Sequence, residues 1–106
     1  MRTLEFIVDK QRIRKNSECD FSGIVAGSEN YLEAKFYFSP DWDECSKKVA
    51  SFWNGDEEHA AFLNENNACV IPHEALTSDK FSVSVIGVSS SYRIGTNRSK
   101  VKQEVV

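Results

Sequence analysis

Asp41, Asp43 and Glu44, and then Asp56, Glu57 and Glu58 beside His59, are where this sequence crowds carboxylates, in the second case next to an imidazole. Oxygen ligands of this kind suit calcium, and a histidine beside a carboxylate suits proton transfer. Neither run has the alternating ligand order and distant glutamate of a calcium loop, so both read as solvated turns and His59 as a structural strand residue. Cys19, Cys45 and Cys69 are odd in number and widely spaced, unlike a disulfide framework or a zinc site. Only His59 and His73 add further soft ligands, so buried free thiols are expected, with no metal and no cofactor. No serine sits in Gly-x-Ser-x-Gly, and no glycine-rich loop leads from a strand into a helix to hold phosphate. The chain is therefore expected not to be an enzyme.

The other residues with chemical reach are aromatic and basic. Residues 31–53 hold seven rings, and Tyr31 and Tyr37 fall on the polar parity of their segment. An exposed tyrosine offers apolar area with one hydroxyl, suited to protein or glycan contact. Trp42 follows Pro40 in a turn and reads either as a plug for the end of the fold or as an exposed anchor. Arg12, Arg14, Arg98 and Lys100 belong to two basic ends. Residues 1–15 carry five basic and two acidic groups, residues 80–106 five and one, and residues 16–79 three and thirteen. Such a dipolar chain favours head-to-tail packing of copies, or docking on a differently charged partner. A sequence pI near 5.4 weakens attraction to phosphate, so nucleic acid is not an expected partner.

These residues must be held by strands. At 106 residues, 41% hydrophobic and 27% charged, the chain suits one folded domain, 1–106. No apolar run approaches the roughly 20 residues that cross a bilayer, so no membrane helix is expected. The first residues have acids where a signal region would be apolar, and read as mature protein made in a cytoplasm. Alternation puts Leu4, Phe6 and Val8 on one face of a first strand, and Leu32, Ala34, Phe36 and Phe38 on one face of another, which Pro40 ends. Arg12 to Lys15 suits a charged edge strand, and Phe21–Val25 a short apolar segment. Residues 49–53 and 58–63 flank Asn54-Gly55-Asp56 as a hairpin. Ala68–Ile71 precedes a short helical turn near 72–77, and Phe81, Val83 and Val85 mark a further strand. Residues 92–94, Gly95-Thr96-Asn97 and residues 101–105 suggest a last hairpin. Turn signals every 8 to 12 residues or so, without a sustained helical period, predict a two-sheet antiparallel β-sandwich of eight or nine short strands, immunoglobulin-like.

The stretch "VAGSENYLEAKFYFSPDWDECSKKVASF", with its aromatic strand, Ser-x-x-Trp and Lys-x-x-x-Phe, resembles small immunoglobulin-like β-domains of bacteriophage tail and baseplate proteins, of the upper-baseplate amino-terminal type. "NACVIPHEAL" and "KFSVSVIG" fit the same loose pattern of Ile-Pro-x-Glu followed by Phe-x-Val-x-Val. The resemblance implies a non-enzymatic virion structural protein, found in the particle and in the host cytoplasm during assembly. Its partners would be other virion proteins or copies of itself, met through Tyr31, Tyr37, Trp42, Arg12, Arg14, Arg98 and Lys100. Two further expectations stand beside it: a small phage protein that blocks a host factor, and a carbohydrate-binding module.

Overall fold

A computed structural model describes residues 1–106 and shows nine strands in two sheets. The strands are β1 (Arg2–Asp9), β2 (Arg12–Lys15), β3 (Leu32–Phe38), β4 (Lys47–Asn54), β5 (Glu57–Phe62), β6 (Ala68–Val70), β7 (Lys80–Val88), β8 (Arg93–Gly95) and β9 (Ser99–Lys102). Two short 3-10 turns, Pro40–Trp42 and His73–Leu76, complete the elements. The first sheet runs β2-β1-β3-β6; the second runs β5-β4-β7, with β8 and β9 both on the far side of β7. This is the β-sandwich that the alternating residues predict.

The core forms because alternate side chains of both sheets point into one shared interior. Leu4, Phe6, Val8, Leu32, Ala34 and Phe36 meet Ala50, Phe52, Phe81, Val83 and Val85 there, all essentially without solvent exposure. Phe38 shares their parity but is only half-buried, because the sandwich ends at that level and Trp42 closes it. The Trp42 ring lies 4.9 Å from that of Phe38, and its Nε1 donates to the Lys10 carbonyl at 2.8 Å. Lys10 has φ 55° in the two-residue β1–β2 loop, a left-handed conformation uncommon for a residue with a Cβ. Its N–H is held by Ser39 Oγ at 2.9 Å, so the plug and the strained turn fix one another.

Three local expectations change. Val25 makes a single bridge to Glu104 instead of joining a strand through residues 21–25; only Ile24 of its neighbours is fully buried. The β1–β3 ladder is parallel, Arg2 to Leu32 through Val8 to Phe38, while the other named ladders are antiparallel. A parallel neighbour needs a long crossover, and residues 16–31 supply it. Arg2 pins that excursion by donating to the carbonyls of Asp20 at 2.9 Å and Ser22 at 2.6 Å. Finally, residues 92–105 form no hairpin of their own. The Thr96 hydroxyl accepts from the Val85 N–H at 3.0 Å and the Thr96 N–H donates to the Val85 carbonyl at 3.1 Å, so the segment kinks but stays on β7.

Candidate docking surfaces

The outer face of the first sheet is a polar mosaic. Tyr37 is exposed and donates its hydroxyl to Glu5 Oε2 at 3.1 Å; this bond, with burial a smaller contributor, raises the phenol above its usual range. Asn16 donates to the other Glu5 oxygen at 3.1 Å, and Thr3 donates to Glu33 at 3.1 Å. Tyr31 is also exposed but precedes the opposite end of β3, six residues and about 20 Å away along the strand. The two tyrosines thus form no joint platform. Trp42, expected as a contact residue, is fully buried and offers nothing to a partner. Its plug reading holds because the Lys10 carbonyl satisfies its ring N–H inside the fold.

Arg12, Arg14, Arg98 and Lys100 are brought together. The side of the sandwich where β2 faces β8 and β9 is stitched by Asn97, whose Oδ1 accepts from the Ile13 N–H at 2.9 Å and whose N–H donates to the Gln11 carbonyl at 3.3 Å. The stitch places Arg12, Arg14 and Lys15 beside Arg98, Lys100 and Lys102, all exposed. The opposite side is formed by β5 and β6, and residues 55–70 there include Asp56, Glu57, Glu58 and Glu65 but no lysine or arginine. Among 13 Lys and Arg and 16 Asp and Glu, no Lys or Arg lies within 4.0 Å of a carboxylate; the one histidine near a carboxylate is His59, its Nε2 3.5 Å from Glu57 Oε1. Sequence charge counts indicated the imbalance, and the sheet order turns it into two opposed edges.

A surface that sequence reasoning missed lies on the outer face of the second sheet. Register aligns Phe62, Val49 and Ile86 across β5, β4 and β7, with Ala60 one pair further along and Val88 at the end of β7. Phe62 is 72% exposed and Val88 42%. Beside this strip the Arg98 guanidinium lies 3.5 Å from the centre of the Trp53 ring, and Trp53 Nε1 donates to Ser84 Oγ at 3.0 Å. Arginine over tryptophan beside exposed apolar side chains is the composition that protein interfaces favour. The alternation of β4 and β5 carried a signal, since Val49, Ser51 and Trp53 share one parity. Which residues of β5 and β7 align with them depends on cross-strand register.

The concave surfaces are small. One hollow of about 230 Å³ is lined by Cys45, Lys48 and Asn67 among others, and one of about 410 Å³ by Asp79, Lys80, Lys100, Lys102 and Gln103. No three His, Cys, Asp or Glu side chains cluster in a way that would hold a metal ion. His73 Nδ1 rests 3.0 Å from the Ser28 carbonyl, a structural contact. Cys45 and Cys69 are buried free thiols as expected, whereas Cys19 is half-buried. Burial, helped by the nearby Glu33 charge, pushes the Cys69 thiol up to about 12. Compared with protein-family models and with curated proteins, the chain matches none.

Proposed function

We propose that this chain is a non-enzymatic structural protein of a bacteriophage virion, part of its tail, baseplate or capsid, and that it works by docking onto neighbouring proteins. The observation that carries the docking role is the outer face of the second sheet: the row Phe62, Val49 and Ile86, flanked by the Arg98–Trp53 stack. An apolar strip rimmed by polar groups marks a contact surface. The virion assignment is supported by the resemblance of the segments around Trp42, Ile71 and Phe81 to phage baseplate β-domains. A rigid sandwich with docking faces suits assembly, in which geometry and not turnover is the product.

Mass spectrometry of purified particles of the encoding phage tests the assignment. The chain is expected there in stoichiometric amount. Its absence from particles, together with a host protein recovered on the immobilised chain, would replace the virion reading with that of a host-factor blocker. Phe62→Asp is expected to weaken incorporation while leaving the thermal midpoint within a few degrees of wild type, because surface changes away from special features shift stability by only about 0.5 kcal/mol.

A further inference from the structure

The two lateral edges of the sandwich are opposite in predominant charge: Lys48 and Lys35 reach the acidic one at Asn67 and Asn66, and Asp79 lies beside Lys100 and Lys102 on the cationic one, yet no Lys or Arg comes within 4.0 Å of a carboxylate on either. On one side β2, β8, β9 and the kink between the last two present Arg12, Arg14, Lys15, Arg98, Lys100 and Lys102. Residues 93–102 contain no acid. On the other side β5, its hairpin loop and the β5–β6 loop present Asp56, Glu57, Glu58 and Glu65. We propose that the protein associates with copies of itself head to tail, the cationic edge of one copy seated against the acidic edge of the next.

Three observations support a second copy as the occupant. Each edge offers a complement to a partner of the opposite sign, and a second copy supplies both partners at once. A net charge of only −3 leaves little overall repulsion between copies. The absence of Lys or Arg pairs with carboxylates inside the molecule leaves both sets of charged groups available for contact between molecules. On the second sheet the cationic edge is broken by the kink at Thr96, and on the first the edge strand β2 is four residues long and carries Arg12, Arg14 and Lys15, features that discourage strand addition, so the contact is one of side-chain charge and not of an extended sheet. Because the joined edges differ, the contact is heterologous, and its repetition gives a ring or an open row. The inference goes beyond the virion assignment and stands without it: the two surfaces share Arg98, but the variants that test the edges change Asp56, Glu57, Lys100 and Lys102 and leave Phe62, Val49, Ile86 and the Arg98–Trp53 stack in place.

Sedimentation velocity on the full chain tests it. Larger species are expected to grow with concentration near 0.01 M salt and to dissociate toward monomer near 1 M, where the screening length falls from about 30 Å to about 3 Å. Two charge-reversed variants supply the decisive comparison: Asp56→Lys with Glu57→Lys, and Lys100→Glu with Lys102→Glu. All four positions are exposed, and circular dichroism checks that both variants fold. Each variant alone is expected to associate at least about tenfold more weakly than wild type, since like charges then face each other. An equimolar mixture of the two is expected to associate again, because each variant presents the charge the other lacks. Wild type that stays monomeric at low salt, or folded variants whose mixture stays monomeric, would overturn the proposal.

Discussion

Phe36 packs its ring 5.4 Å from that of Phe6, whereas Tyr37, the next residue, points to the other face and gives its hydroxyl to Glu5. Phe36→Ala is expected to cost about 3–5 kcal/mol and Tyr37→Ala much less, read from denaturant unfolding, because only the first leaves a cavity. Gly87 is the tightest point of the core edge: a Cβ there would lie 2.7 Å from Cys45 Sγ and 2.8 Å from the Trp42 ring. Gly87→Ala should cost about 1–3 kcal/mol and shift tryptophan fluorescence as Trp42 is pushed aside. Cys69 gives a pH effect of fixed sign. Its thiol ionises near 9.0 unfolded and near 12 in place, so folding favours the protonated form. That contribution is complete below pH 9 and is lost as pH rises toward 12. Subtracting the stability profile of Cys69→Ala from that of wild type should leave a decline confined to that window.

Alternation made β1, β3 and β7 legible, because a period of two assigns a strand's faces before its partners are known. Pairing direction was not legible: β1 buries the same Leu4, Phe6 and Val8 whether β3 runs with it or against it. Gly95-Thr96-Asn97 misled for a different reason, since residues that suit a reversal also suit a kink. The deciding bonds run from Thr96 to Val85 and from Asn97 to Ile13 and Gln11, far apart in sequence. Asn97→Ala removes the acceptor for the Ile13 N–H and should destabilise by about 1–3 kcal/mol. Asn97→Asp keeps an acceptor at that place and should recover most of the loss in thermal unfolding. The docking strip stayed hidden because Phe62, Val49 and Ile86 come from three strands and become neighbours only through register. Of the residues flagged for contact, the basic ones converge, the tyrosines separate, and Trp42 turns inward.

At the scale of the molecule, two flat faces differ in chemistry and two edges differ in sign. The tyrosine-bearing face is hydrogen-bonded within itself, and the opposite face carries the apolar strip. Salt should therefore separate two kinds of contact in any assembly the protein joins: edge contacts weaken steeply with ionic strength, while apolar-face contacts change little.

Residue 104 closes the structure. Its N–H donates to Ile24 at 2.7 Å, and its carbonyl accepts from Ala26 at 2.8 Å, clasping the middle of the crossover between β2 and β3. Leu76 accepts from Gly27 beside it, and β9, just upstream, completes the rim of the second sheet. A nascent chain can therefore zip β1 to β2 early, yet it lacks its final fastener until residue 104 has cleared the ribosome exit. Synthesis should deliver a protease-sensitive chain at every stall point before then, and a resistant one in a single step afterwards.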